Sequence, residues 1–136
     1  MKEQTVFFDL YNKILLTEIK RCYILLLIGF IAYADSHMEH HSYSIYDLTC
    51  YINCTASYGQ GFTSGAADPD YNYVSVQTFD INQKTISSSY KTALSKATLT
   101  LTKGRVYGTQ TRHAAVNSQG EYLDGYANIL RLYRGR

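Results

Sequence analysis

The feature that most constrains the fold of this chain is a strict alternation of side chains from residue 46 to residue 55. A period of two predicts a half-buried β-strand, because successive side chains of a strand point to opposite faces. The register of such a strand is well specified, since a shift of one residue would exchange its two faces. One face carries Tyr46, Leu48, Cys50, Ile52 and Cys54, and the other carries Asp47, Thr49, Tyr51, Asn53 and Thr55.

A second strand is predicted from Tyr71 to Ile81, with Val74 and Val76 facing inward. Before it, the glycine-containing stretch from Ser57 to Asp70 predicts a long loop. After it, the serine-rich segment Lys84–Ser89 predicts a weak edge strand.

The C-terminal half predicts a hairpin and a final strand. Ala97–Thr102 and Val106–Val116 both alternate, and Lys103–Gly104 between them suits a tight turn. Arg105, Thr109, Thr111 and His113 form the polar side of the returning strand, which is expected to face solvent. A last strand is predicted from about Tyr122 to Tyr133. The pattern therefore predicts an all-β fold, a small antiparallel β-sandwich of about five to seven strands.

An apolar segment precedes this β region. Lys20 and Arg21 lead into an uncharged run of 13 residues, Cys22–Ala34, which ends in the Ala-x-Ala pattern of a signal-peptidase site. A membrane-spanning helix needs ~18 or more apolar residues, so the run suits the core of a signal peptide. The sequence thus predicts a signal peptide over residues 1–34, a flexible polar terminus over 35–44, and a secreted β-sandwich domain over 45–136.

The length of the leader leaves alternatives open, because 19 residues, several of them acidic, precede Lys20. Residues 5–34 could instead form an uncleaved anchor helix, which would be the only contact with a membrane. Translation could also begin near Lys20, or at Met38, and the latter start would leave the protein in the cytosol.

Charge and composition of the region after Ala34 restrict the classes of partner. The region contains nine Lys and Arg residues and eight Asp and Glu residues. This nearly neutral balance produces no strong positive field that would attract nucleic acid. Eleven of the 14 tyrosines lie in this region, and tyrosine favours pleated, half-buried surfaces.

Cys50 and Cys54 lead to conflicting predictions. An oxidising compartment favours a disulfide between them. On a regular strand, however, positions four apart are separated by ~13 Å, whereas a disulfide requires Cα atoms within ~7 Å. Either the chain bends between the two cysteines or the thiols remain unpaired.

No pattern of catalytic or metal-binding residues stands out. His37, His40 and His41 precede the cysteines, but their spacing matches no tetrahedral zinc pattern, so no metal or cofactor is expected. His113 is predicted to be a surface residue rather than a base. A hydrolase site assembled from His113, Asp80 and Glu121 is the enzymatic alternative to the non-enzymatic protein that we expect.

Tyrosines of the predicted strands are the candidate binding residues. Across neighbouring strands they would form a ladder suited to stacking on sugar rings or another flat partner, or they would serve only as core and rim. The six are Tyr71, Tyr73, Tyr107, Tyr122, Tyr126 and Tyr133.

The region from Tyr90 to Tyr133 resembles the small secreted β-sandwich proteins of Gram-positive bacteria, which include lactococcin-type bacteriocins. The resemblance rests on Lys96–Thr102, on Thr111-Arg112-His113-Ala114 and on the tyrosine-bearing final strand. It implies export and action on cell-wall synthesis through binding of the lipid-linked precursor. We therefore expect a secreted bacterial binding protein, bacteriocin-like and active at the cell envelope. The alternative is an adhesin or carbohydrate-binding module that uses surface tyrosines.

Overall fold

The computed structural model describes residues 35–43 and 45–134. This part of the chain contains eight strands in two antiparallel sheets. Sheet 1 has the order β1-β2-β3-β6, and sheet 2 has the order β5-β4-β7-β8. The strands are β1 Asp35–Ser42, β2 Asp47–Cys54, β3 Gly59–Ser64, β4 Tyr71–Phe79, β5 Thr85–Ala93, β6 Lys96–Leu101, β7 Gly108–Val116 and β8 Asn128–Tyr133. The all-β, antiparallel prediction is confirmed, with more strands than the five to seven expected. The predicted signal or anchor segment, residues 1–34, lies outside the described residues.

The polar segment that the sequence predicts to be flexible forms an edge strand instead. β1 pairs with β2 along its full length, from Asp35 opposite Cys54 to Ser42 opposite Asp47. Backbone hydrogen bonds to the open edge of β2 hold this strand, so it needs few buried side chains of its own. A segment that is polar on both faces gives no periodic signal, which is why the sequence did not reveal β1.

The predicted loop from Ser57 to Asp70 contains the third strand of sheet 1. β3 pairs with β2 on one side and β6 on the other. Its inward positions are Gly59, Gly61 and Thr63, all buried. Strand predictions rely on bulky β-branched and aromatic residues, and β3 has glycines where such residues would give the signal.

The predicted hairpin between residues 97 and 116 does not form. β6 pairs with β3 in sheet 1, whereas β7 lies between β4 and β8 in sheet 2. The turn at Lys103–Gly104 therefore carries the chain from one sheet to the other. Both segments alternate as predicted, but alternation does not identify the partner of a strand.

The final strand is shorter than predicted. The predicted strand began at about Tyr122, but β8 begins at Asn128, and Tyr122 forms only an isolated bridge with Val116. Gly125, with a φ of 73°, lies in the turn between these two pairings.

The two sheets pack face to face around two apolar clusters. The first contains β2 side chains and Leu130 of β8, and the second contains Val74 and Val76 of β4 with Ala97 of β6. Polar side chains share this interior, and Asn72, Thr63, Thr111 and His113 are fully buried.

Gly59 lies where the two sheets approach each other closely. A Cβ at this position would lie 2.5 Å from Thr109 Oγ1 and 2.5 Å from Thr78 Cγ2, both on the facing sheet. Real Cβ atoms do not approach other atoms so closely, so the missing side chain sets the distance between β3 and the facing strands.

Replacing Gly59 by alanine is expected to lower the free energy of unfolding by about 2 kcal/mol, because the sheets would have to separate locally. Urea unfolding of the variant measures this cost. Gln60→Ala changes the outward-facing neighbour on the same strand and serves as the control, with an expected loss of about 0.5 kcal/mol or less. The double variant with Thr78→Ser removes one of the clashing methyl groups and is expected to recover part of the loss. Equal stability of Gly59→Ala and the control would contradict the close approach.

Candidate binding surface

The outward side of sheet 2 is the candidate binding surface, which we call the tyrosine face. Burial alternates along β4, so that Asn72 and Val74 are fully buried while Tyr71, Tyr73 and Ser75 lie on the other side. Directly paired residues of neighbouring strands point to the same side. The tyrosine face is therefore formed by the outward positions of four strands together with Tyr122: Tyr71, Tyr73, Ser75, Gln77, Phe79, Thr85, Ser88, Tyr90, Thr92, Gly108, Gln110, Arg112, Ala114, Val116, Ile129, Arg131 and Tyr133.

Three tyrosine rings meet on this face. Tyr73 of β4 stacks on Tyr90 of β5, with ring centroids 5.9 Å apart, and receives Tyr122 edge-on at 5.4 Å. Both separations lie in the range of favourable aromatic pairs. Tyr90 is 70% exposed, so the cluster presents aromatic surface to solvent. The rings come from three separate segments of the chain and form one patch.

The hydroxyl groups of Tyr73 and Tyr122 also interact. Burial, followed by the hydrogen bond between the side chains of Tyr122 and Tyr73, raises the pKa of Tyr122 to about 12. Arg112 acts in the opposite direction, which places its positive charge near Tyr122. Tyr122 is therefore un-ionised at neutral pH.

The remaining predicted tyrosines do not continue this cluster as a ladder. Tyr71 lies on the tyrosine face at the end of β4. Tyr133 packs near Phe79 at 6.3 Å, at the end of the face where Gly108 leaves room for its ring. Tyr107 lies between the guanidinium groups of Arg105 and Arg134, and Tyr126 packs against Tyr43.

Sequence reasoning missed Tyr90, the most exposed ring of the cluster. The predicted edge strand ended at Ser89, whereas β5 continues to Ala93. The sequence contained a signal for this extension of the strand, because Ser88, Tyr90 and Thr92 alternate with residues of the other side of β5.

Amide and guanidinium groups also lie on the tyrosine face. Gln77 Nε2 donates to Thr85 Oγ1 at 2.8 Å, and Arg131 Nε donates to Gln110 Oε1 at 2.6 Å. Gln110 is 8% exposed, so it is a fixed support for the exposed Arg131. These groups place hydrogen-bonding side chains beside the aromatic patch.

Sheet 1 carries a smaller aromatic pair on its outward side. Tyr51 and Phe62 stack with centroids 4.8 Å apart, and Lys96 Nζ lies 3.8 Å from the Phe62 centroid. The lysine covers the ring of Phe62, so this pair presents less aromatic surface than the Tyr73–Tyr90–Tyr122 cluster. Met38 of β1 pairs opposite Tyr51 and is exposed.

Both cysteines point into the interior from β2, which runs straight through them. Cys50 and Cys54 are buried free thiols, so the disulfide expected from secretion is not formed, and the continuous-strand alternative describes the structure. Burial raises the pKa of Cys50 to about 11 and also raises that of Cys54. Both thiols are therefore protonated at neutral pH and are poor nucleophiles.

His113 lies in the core and not on the surface as predicted. It is fully buried, with Nδ1 2.7 Å from Thr63 Oγ1 and Nε2 2.6 Å from Thr111 Oγ1. Burial lowers its pKa to about 4, so the ring is neutral at pH 7. A hydroxyl can both donate and accept, so the two threonines satisfy both nitrogens of the neutral ring.

The residues of the enzymatic alternative are not brought together. Asp80 follows the end of β4 that pairs with Gly108, whereas Glu121 hydrogen-bonds Asn117 beyond the other end of β7. These ends are about 25 Å apart along a nine-residue strand. His113 is held by its two threonines in the interior.

The histidines of β1 lie on opposite sides of the strand. His40 faces outward with its Nδ1 3.2 Å from Thr49 Oγ1, whereas His37 and Glu39 share the other side. The side chain of Glu39 accepts a hydrogen bond from Asn128, and this bond lowers the pKa of Glu39. No group of three or more His, Cys, Asp or Glu side chains arranged to hold a metal ion occurs within residues 35–43 and 45–134.

No protein-family model, curated protein or solved structure matches this chain. Within the described ranges, no helix is both long enough and apolar enough to span a membrane. The geometry of the tyrosine face is therefore the main guide to function.

Proposed function

We propose that this protein is a secreted, non-enzymatic β-sandwich that binds a glycan of the cell envelope through its tyrosine face. The observation that carries the proposal is the convergence of Tyr73, Tyr90 and Tyr122 into one solvent-facing patch. The resemblance to bacteriocins supports the cell envelope as the place of action.

A sugar ring suits this surface for chemical reasons. One face of a pyranose presents C–H groups that pack on an aromatic ring, while its hydroxyls need hydrogen-bond partners at the edge. The patch supplies the rings, and Gln77 and Arg131 lie on the same face within the same sheet. Paired strands hold these side chains, so little conformational entropy is lost on binding.

Replacing Tyr90 by alanine is expected to weaken glycan binding about tenfold, since the most exposed ring of the patch is lost. A glycan array probed with the full-length chain identifies the ligand, and titration of that ligand gives the affinity of each variant. Tyr126→Ala is the matched control, because Tyr126 is also an exposed tyrosine (51%) but packs against Tyr43 and not in the patch. An array without signal, or equal losses in the two variants, would contradict the proposal.

Export by cleavage after Ala34 is the second part of the proposal. β1 begins at Asp35, so cleavage at this position leaves all eight described strands intact. Expression of the full-length gene in a Gram-positive host is expected to release a chain that begins at Asp35, and intact-mass measurement of the culture medium checks this. A cell-associated protein that retains residues 1–34 would favour the anchor alternative. The same mass shows whether Cys50 and Cys54 remain reduced.

A further inference from the structure

The two sheets differ in their charge. The strands of sheet 2 contain no aspartate or glutamate, and they carry Lys91, Arg112 and Arg131. The strands of sheet 1 contain three carboxylates and a single lysine: Asp35, Glu39, Asp47 and Lys96. Arg112 and Arg131 lie on the tyrosine face, whereas Lys91 pairs with the inward-facing Val74 and lies on the other side of the sheet. The strands of sheet 2 therefore place two cations and no carboxylate on the tyrosine face, which favours anionic ligands there.

We propose that the tyrosine face selects acidic polysaccharides whose sugar rings carry a carboxylate, with Arg112 and Arg131 as the anion-binding residues. This inference rests on the proposed function and specifies its ligand class. A guanidinium group binds a carboxylate through two parallel hydrogen bonds, which a neutral sugar cannot accept in the same way.

Arg112 lies in line with the aromatic patch. The pairing places Tyr90, Ser75, Arg112 and Ile129 side by side across β5, β4, β7 and β8. Strands are spaced by about 4.8 Å, so Tyr90 and Arg112 are about 10 Å apart at the backbone, with the small Ser75 between them. A sugar ring that packs against Tyr90 above Ser75 therefore brings a carboxylate attached to that ring within reach of Arg112.

Arg131 extends the anion-binding row. It pairs with Gln110, the neighbour two residues before Arg112 on β7, so the two arginines are diagonal neighbours about 7 Å apart at the backbone. Its Nε donates to Gln110, and its side chain is exposed, so terminal N–H groups of Arg131 remain accessible to a ligand. Two guanidinium groups at this spacing suit a polymer that carries repeated charges, which a single acidic sugar does not offer.

The carboxylate next to Tyr122 in the sequence has a hydrogen-bond partner of its own. Glu121 precedes Tyr122, but its Oε2 accepts a hydrogen bond from Asn117 Nδ2 at 2.9 Å in the turn after β7. On the neighbouring strands Arg112 is flanked by the uncharged residues Ser75 and Ile129.

The test compares two polymers with the same sugar backbone, one with ionised carboxylates and one with neutral methyl esters. The full-length chain is titrated with sodium polygalacturonate and with the same polymer after methyl esterification of its carboxylates. Binding of the charged polymer is expected to be about tenfold tighter at ~0.15 M salt, and the difference should shrink as salt is raised.

The double variant R112Q/R131Q should lose the difference and keep the weaker binding of the ester, whereas Tyr90→Ala should weaken binding of both polymers. Lys103→Gln, an exposed lysine in the connection between β6 and β7, is the control for loss of positive charge.

The outcomes separate this inference from the proposed function. Equal binding of the acid and the ester would overturn the selectivity and leave glycan binding in place. Tight binding of polygalacturonate that survives R112Q/R131Q, or that is lost equally in Lys103→Gln, would overturn the role of the two arginines. Equally tight binding of a glycerol-phosphate polymer without sugar rings would show that charge alone suffices, which contradicts ring recognition. Absence of binding to both galacturonate polymers overturns the inference, while a glycan array with a Tyr90-dependent signal would still support the proposed function.

Discussion

Replacing Asn72 by aspartate is expected to cost about 4 kcal/mol of stability at neutral pH, the largest effect of any single substitution proposed for this protein. Asn72 is fully buried on the inward side of β4. Its Oδ1 accepts a hydrogen bond from the Ala66 amide at 2.9 Å, and its Nδ2 donates to the carbonyls of Leu94 at 3.0 Å and Ser95 at 3.2 Å. One side chain thus joins the connection before β4 to the turn between β5 and β6.

The substitution replaces the donating amide with a carboxylate oxygen. That oxygen would face the Leu94 and Ser95 carbonyls, so a buried negative charge would lie against two negative dipoles. The introduced carboxyl is then expected to have a pKa above that of the unfolded chain. Its penalty is absent below the unfolded pKa of about 4, grows as pH rises through the folded value, and is full above it.

Urea unfolding at a series of pH values from about 4 to about 7.5 tests this expectation. Asn72→Asp should approach wild-type stability as pH falls, whereas Asn72→Ala should cost about 2 kcal/mol at every pH, because it removes hydrogen bonds without adding charge. Asn82→Asp makes the same chemical change at an exposed turn and should alter stability by less than about 0.5 kcal/mol. A cost for Asn72→Asp that does not change with pH would show that the introduced carboxyl is solvated, and the described packing would then be incorrect.

His113 is expected to make the stability of the protein fall as pH is lowered from about 6.5 to about 4. Burial lowers its folded pKa to about 4, while the unfolded value is close to 6.5. Below 6.5 the unfolded chain binds a proton that the folded chain does not, so acid favours unfolding. The contribution is complete above pH 6.5, declines through this window, and amounts to about 3 kcal/mol for a difference of this size.

His113→Gln removes the titrating group but retains one donor and one acceptor near Thr63 and Thr111. The variant is expected to be about 2 kcal/mol less stable than the wild type at pH 7, because the shorter side chain fills the site less well. Its stability should depend less on pH between 6.5 and 4, so the two curves should converge as pH falls. His40→Gln, on the outward side of β1, provides the control and should keep the wild-type slope. Parallel curves for His113→Gln and the wild type would contradict the buried, neutral state of His113.

His113 illustrates where prediction from the sequence ends. The sequence predicts a surface position for His113, because Thr109, Thr111 and His113 form the polar side of β7 and polar sides usually face solvent. In the structure this side faces the interior, where Thr63 of β3 and Thr111 satisfy the imidazole. The partner from β3 is 50 residues away in the chain, so no local pattern could have revealed it.

The sequence predicted an aromatic binding surface but not which residues would form it. The abundance of tyrosine pointed to an aromatic surface, and Tyr73 and Tyr122 do meet on one face. Tyr90 joins them only because β5 pairs with β4 in a register that places it one row from Tyr73. Arg112 and Arg131 lie on the same face for the same reason, since β8 pairs with β7.

Alternation along the chain determined the β class of this protein, because the side-chain period of a strand is a local property that any half-buried segment must show. It located β2 and β4 and assigned the inward side of β4 correctly. Local patterns do not specify which strands pair with each other. The segment predicted to be a hairpin is therefore a connection between the two sheets. β1 and β3 lack apolar periodicity and are recognised as strands only by their pairing with β2. Backbone hydrogen bonds between distant segments determine these pairings. The pairings place three tyrosines and two arginines on a single surface.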